Sequence, residues 1–281
     1  MRIAVCLSGQ LRTWKDAQKS WDAFFNELKT SPEIDGDDIE VDYFVHTWDF
    51  NSTPFAVWTK QQWDAGKFHT GFEQPPAEGV SKEEIEEFLQ TIKPKRHLIE
   101  NIFKSTSRKE ELDARTQWRL GDYTKWAPIS WAGAQLYGIM RAAELKRNYE
   151  FENGFEYDMV VRMRSDLSFD YLNRMIFTND FEKPKERTLY SVHSFNTEYF
   201  PHDAIGDIFF YSDSFTYDIV SNVYNYLPQL SPDIFPFDVK VESILAYVIR
   251  MFDIKNVRLK IDPDIIRGTI ESNPNINKSI I

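Results

Sequence analysis

The amino-acid sequence predicts an α/β fold, Rossmann-like, with a mainly parallel mixed sheet and helices on both faces. Three observations carry this. Short apolar runs alternate with segments of helical period through the first half of the chain, the order of βαβ units. Within residues 2–7, Ile3-Ala-Val-Cys-Leu7 forms a continuous apolar run, as in a strand covered on both sides. The run Tyr157-Asp-Met-Val-Val-Arg-Met-Arg-Ser-Asp166 then reads as a second buried strand with charge gathered at its carboxyl end.

After the first strand, Thr13 is placed to cap a helix in which Trp14, Ala17, Trp21, Phe24, Phe25 and Leu28 recur at helical spacing. The acidic, turn-rich loop Ser31–Asp38 leads to a strand over Val41–Trp48. From there to Gly79 the chain is irregular and rich in Trp, Gly and Pro, too long for a plain connection and read as a functional insertion or flap. Ser81-Lys-Glu-Glu84 is a capping box ahead of Ile85, Phe88, Leu89 and Ile92, and Pro94 closes that helix. A third strand over 95–100 follows. The polar segment 104–127 carries Arg108, Lys109, Arg115, Arg119 and Lys125, a basic surface or a lid over bound phosphates. A long helix is expected from Ile129 to Arg147 with Ala132, Leu136, Ile139, Met140 and Ala143 inward. Beyond the Arg-x-Arg strand, the pattern gives strands at Thr188–His193 and Asp207–Ser212. Helices over 213–227 and 239–252 come next, and a last strand at Val257–Ile261. We expect one domain over residues 1–270, its irregular insertion at about 50–80, and a polar tail over 271–281.

Composition narrows the function. Hydrophobic residues are 42% of the chain and aromatics 15%, so it can bury a large core. A formal charge of −11 argues against nucleic acid as partner, because phosphate backbones require a dominant basic surface. The one cysteine, Cys6, leaves no internal disulfide and no cysteine-built zinc site, and reads as a buried core residue. Five scattered histidines lack metal-ligand spacing. No transmembrane segment is expected, since no apolar run approaches the roughly 18–20 residues that span a bilayer.

Ligands of open α/β sheets bind beyond the carboxyl ends of the strands, at the switch point. Three such ends carry unusual polar residues. Ser8-Gly9-Gln10-Leu11-Arg12 offers hydrogen bonds, a close backbone approach and a guanidinium; an ordinary turn into a helix is the alternative. The strand Phe44-Val-His-Thr-Trp48 places His46 and Trp48 where a base or sugar ring would stack, though a satisfied structural histidine fits as well. At the third end, strand alternation puts Arg162, Arg164 and Asp166 on one face, about 6.5–7 Å apart. That is an anion site for a diphosphate, with Asp166 free to hold Mg²⁺ or Mn²⁺; an internal salt bridge is the competing reading. No G-x-G-x-x-G and no G-x-x-x-x-G-K-[ST] is present, so dinucleotide and P-loop sites lose their main support.

Together, Ile3-Ala-Val-Cys-Leu-Ser-Gly-Gln-Leu-Arg-Thr-Trp14, Phe44-Val-His-Thr-Trp48, the Tyr157–Asp166 run and Gly206-Asp-Ile-Phe-Phe-Tyr-Ser212 resemble a group of viral and bacterial glycosyltransferase-like proteins related to GT-A enzymes. The resemblance implies a GT-A-like fold, a nucleotide-diphosphate sugar (such as a UDP-sugar) as donor and a glycan or other hydroxyl as acceptor. The opening apolar run is too short for a signal-peptide core and no segment is long enough to span a bilayer, so a soluble, cytoplasmic protein is expected, in the host's cytoplasm if the source is viral. The resemblance puts Ser8, Gly9, Gln10 and Arg12 against the nucleotide and Asp166 at the end of a D-x-D metal motif. This chain departs there: Arg164 stands where the first Asp belongs. A lone carboxylate holds a divalent ion weakly, and the two arginines neutralising the diphosphate without metal is the alternative. Inverting transfer needs a base near the acceptor hydroxyl, for which Asp207 comes first and Glu242, after Pro236-Phe-Asp238, second. Trp58, Trp63, Phe68 and Phe72 offer flat faces to an acceptor sugar or form a small core of the insertion. A non-catalytic glycan- or nucleotide-binding module remains the other class of function. The oligomeric state has no signature in the sequence.

Overall fold

The computed structural model describes residues 1–11, 13–30, 34, 39–49, 80–100, 131–169, 181–193, 205–229, 241–259 and 264–265. Arg12, the aromatic stretch with Trp58, Trp63, Phe68 and Phe72, the basic segment 104–127 and the tail 271–281 lie outside them.

A seven-stranded sheet organises the chain. Its strands are β1 (Arg2–Gly9), β2 (Glu40–Trp48), β3 (Arg96–Glu100), β4 (Met159–Met163), β6 (Thr188–His193), β7 (Ile205–Ser212) and β8 (Lys255–Arg258), in the order β3-β2-β1-β4-β7-β6-β8. All run in one direction except β7, which is antiparallel to both β4 and β6. The α/β class and the mainly parallel mixed sheet are as the sequence predicts. Order along the sheet reverses at β1, flanked by β2 on one side and β4 on the other, so the switch point lies between β1 and β4. Central β4 is buried throughout and β1 from Ile3 to Ser8, with Arg162 the charged residue within that buried stretch. Edge strands β3 and β8 carry Arg96, Lys255 and Arg258, charges that discourage further strand pairing.

Helices α1 (Trp14–Thr30) and α2 (Lys82–Ile92) cover one face. On it Trp14, Trp21, Phe24, Phe25 and Leu28 meet Val5, Met159, Val161 and Phe209, and Phe24 stacks on Phe169 with ring centroids 4.2 Å apart. A buried aromatic of this kind contributes about 2–3 kcal/mol. The Ser81 hydroxyl accepts from the Glu84 amide at 3.1 Å, the capping bond read from the sequence. Helices α3 (Trp131–Asn153), α4 (Ser214–Ser221), α5 (Val223–Tyr226) and α6 (Val241–Met251) cover the other face. There Lys146, wholly buried in α3, meets Glu150 at 2.8 Å and Asp218 of α4 at 2.9 Å and donates to the Ser214 hydroxyl. This network fastens α3 to α4.

Two expectations are corrected, and one ladder is added. The Arg-x-Arg strand stops at Met163; the Leu167 amide donates to the Arg164 carbonyl at 3.3 Å, closing a turn, so the alternation needed to align Arg162, Arg164 and Asp166 on one face ends too early. The helix expected over 213–227 is divided at Asn222 into α4 and α5, then a 3-10 turn at Leu227–Gln229, after Asp213 caps α4 by accepting from the Thr216 amide at 2.9 Å. Beyond the main sheet, β5 (Leu167–Ser168) pairs antiparallel with β9 (Asp264–Ile265), a ladder too short to leave a sequence pattern. Among the described residues no helix is long and apolar enough to cross a membrane.

Candidate functional site

At the carboxyl edge of the sheet, backbone geometry sets the scene first. Gly9 ends β1 with φ +139°, a conformation side chains rarely adopt, and its carbonyl accepts from the Thr47 hydroxyl at 2.9 Å. Among the described residues a Cβ on Gly9 would meet the Ser165 hydroxyl alone, 3.9 Å away, so there the glycine answers to the backbone angle and not to crowding. Ser165 donates to the Gln10 carbonyl at 2.7 Å, tying the turn after β4 to the turn after β1. From the opposite face, Trp21 Nε1 donates to the Leu167 carbonyl at 2.7 Å and the Ser20 hydroxyl accepts from the Phe169 amide at 3.0 Å. The segment 164–169 is therefore held on both sides.

Within that frame the charged residues divide into two kinds. Arg162 is only 1% exposed, and its Nη1 donates to the carbonyls of Ser8, at 3.1 Å, and Met163. Burial draws its pKa down to about 10, and the neighbouring Arg164 acts in the same sense. This guanidinium fastens the ends of β1 and β4 together and, in this arrangement, is closed to a bound diphosphate. Arg164, by contrast, has a side chain 22% exposed. Its Nε and Nη2 form a fork on Asp166, at 2.7 and 2.6 Å, and Asp166 is itself 2% exposed. Burial acts to lower the Arg164 pKa, and the carboxylates of Asp166 and Asp207 overcome it and raise it. The salt bridge considered as the competing reading is present, and it joins Arg164 to Asp166, not Arg162.

Asp207 completes the group. Register places Phe209 opposite Met163, so Asp207 lies two residues further out, at the rim beside the 164–166 turn. Gln135, in the first turns of α3, donates its amide N–H to Asp207 Oδ2. Arg162 and Arg164 both feel the Asp207 charge. Glu242 begins α6, and because α6 precedes β8, which runs parallel to β6, its first turn falls at the same end of the sheet.

The ends of β2 and β3 are differently built. His46 is fully buried, its Nε2 3.1 Å from Glu100 Oε2, its ring edge-on to Trp48 at 4.8 Å. Trp48 is buried too, stacked on Tyr137. Packed this way, neither ring presents a face to a ligand, which is the structural reading of His46. Glu100, Tyr137 and Arg141 were not singled out from the sequence. Tyr137 donates to Glu100 at 3.0 Å and Arg141 stands 3.6 Å from it. Burial pushes the Glu100 carboxyl up, but His46, Tyr137 and Arg141 outweigh it and hold the pKa down to about 2. A carboxylate so fully engaged is a strut, not a base. Only contacts between helix and strand ends reveal it.

The divalent cation implied by the resemblance does not fit these residues. Both Asp166 oxygens accept from Arg164, so an entering cation would meet a guanidinium within 3 Å of its ligand. Among the described residues no group of three or more His, Cys, Asp or Glu side chains is placed to hold a metal.

No protein-family model matches the chain, and no curated protein matches it by sequence. Among solved structures it is similar to mouse xyloside xylosyltransferase 1 in its apo form. The TM-score is 0.36 and the identity 7%, over 92% of this chain and 84% of that one. We assign no residue a role from that likeness.

Proposed function

We propose that this chain is a glycosyltransferase that moves a sugar from a nucleotide-diphosphate donor to a hydroxyl of a glycan acceptor, with inversion. The observation that carries the reading is Asp207: a carboxylate at the switch-point rim, held by Gln135 and close enough to Arg164 for its charge to act on that guanidinium. The opening motif and the Arg-x-Arg run that underlie the sequence resemblance meet at this same rim. Chemically, the acceptor oxygen bonds to the anomeric carbon as the bond from that carbon to the donor diphosphate breaks. The bonding pair leaves with the nucleoside diphosphate, and the acceptor proton passes to Asp207. Gln135 holds the carboxylate in place, and Gly9 and Gln10 line the approach of the nucleotide, while Ser8, 2% exposed and packed toward Gly138 of α3, supports that turn from below. Glu242, at the same end of the sheet, is the second candidate base.

A thermal-shift panel of UDP-, GDP- and CMP-sugars tests the proposal. One donor should stabilise the protein and then be slowly hydrolysed; a panel with no stabilisation removes the reading. The lack of a fitting cation site among the described residues favours one second reading, a non-catalytic nucleotide- or glycan-binding module. Binding without any turnover would select it.

A further inference from the structure

The misfit between Asp166 and a divalent cation points to something specific about the neighbouring arginine. We propose that Arg164 is the fixed cation of this site, a guanidinium in place of a metal that binds the donor diphosphate and receives the charge of the leaving group. The inference rests on the sugar-transfer reading and deepens it.

A guanidinium is planar, carries five N–H donors and stays protonated at any working pH. Asp166 takes two of those donors, on the Nε–Nη2 edge. The other edge keeps three N–H bonds, for which the described residues supply no partner. Its side chain is the one among Arg162, Arg164 and Asp166 that reaches solvent. Asp166 therefore aims Arg164, and the tie of Ser165 to Gln10 keeps that aim fixed relative to the turn where the nucleotide is placed. A cation held in advance needs no reorganisation as charge develops, the condition under which electrostatic stabilisation is greatest.

Charge counting strengthens the case. Arg162 and Arg164 against Asp166 and Asp207 sum to zero: two positive, two negative. When Asp207 accepts the acceptor proton the sum becomes +1, at the moment the departing diphosphate gains the electron pair of the broken bond. Proton transfer at one side of the cluster thus unmasks the positive charge needed at the other. A bound divalent ion would be superfluous, and repelled by Arg164.

Calorimetric titration with UDP, GDP, ADP and CDP, each in EDTA and in Mn²⁺, with the matching nucleosides as controls, tests this. One diphosphate should bind equally well in both conditions. Arg164→Gln should weaken it on the order of a hundredfold while leaving its nucleoside unchanged. Asp166→Asn, which frees the guanidinium, should lower diphosphate affinity by about tenfold with the nucleoside again unaffected. The double variant R164Q/D166N removes both members of the Arg164–Asp166 ion pair together, so neither is left without its partner, and it carries the same test if either single variant fails to fold. Diphosphate binding that needs Mn²⁺, or that survives Arg164→Gln, overturns the inference and leaves sugar transfer standing. No binding of any of the four in either condition removes both.

Discussion

Replacing Gly206 by alanine should destabilise the protein by about 2–4 kcal/mol and, through the adjoining Asp207, depress any transfer activity. The β6–β7 register slips here: Ser191 faces Phe210 whereas His193 faces Ile205, and Gly206 closes against Val192 inside the irregularity. A Cβ at Gly206 would lie 2.4 Å from Val192 Cγ2, 2.8 Å from the Val192 carbonyl oxygen and 3.2 Å from its carbon. Ordinary contacts need about 3.5–4 Å, so more than 1 Å must be found. Val192 is able to turn its methyl away at about 1 kcal/mol of off-rotamer strain. Its carbonyl belongs to a paired strand and yields only if β6 and β7 part, an overpacking cost of about 1–3 kcal/mol. Urea titration reads the loss as a lowered midpoint at unchanged slope. Made in a Val192→Ala background, which removes the methyl clash but not the carbonyl clash, Gly206→Ala should still cost more than half of what it costs alone. A loss for Gly206→Ala below about 0.5 kcal/mol, the range of an ordinary surface change, would refute the argument.

Further outcomes follow from the polar groups. Asp207→Asn should abolish transfer while donor affinity measured by calorimetry stays within a fewfold; retained turnover removes Asp207 as base. Glu100→Gln should flatten the acid limb of stability. With the folded pKa held to about 2 against an ordinary 4.5, the unfolded chain binds more protons in that window. About 2–3 kcal/mol is therefore present above pH 4.5 and lost as pH falls toward 2, which urea midpoints at pH 3 and pH 6 resolve. Burial pushes Asp218 the other way, up to about 6 in spite of Lys146. The folded chain then binds more protons between about pH 4 and 6, so this group's contribution falls as pH rises through that window, and Asp218→Asn should remove the slope. Lys146→Met leaves the Glu150 and Asp218 carboxylates buried without their cation and should cost about 3–5 kcal/mol by the same titration.

The sheet was legible because its strands are short apolar runs between amphipathic helices. All of Trp14, Ala17, Trp21, Phe24, Phe25 and Leu28, read at helical spacing, are buried against it. Strand alternation misled only where the strand itself ended: a period of two places Arg162, Arg164 and Asp166 together, but Arg162 stays in the buried ladder of β4 while the turn at Arg164–Leu167 folds Arg164 back on Asp166. Which arginine Asp166 would choose depends on that turn and has no trace in spacing. Asp207 was legible as an acid at a strand start, whereas its partner Gln135 lies on a distant helix and emerges only when α3 crosses the strand ends. The Glu100 network was hidden for a similar reason. Its four members come from β2, β3 and α3, and no one segment holds two charges in register.

The pairing of Leu167–Ser168 with Asp264–Ile265 matters for anyone preparing shortened versions of this protein. Removing everything from Asp264 onward looks harmless on a map of the main sheet, which is complete by Arg258. It would nonetheless strip the backbone partner from the residues directly following Asp166 and slacken the anchor of Arg164. If Arg164 has the role proposed for it, protein ending before Asp264 should bind a nucleoside diphosphate more weakly than the full chain.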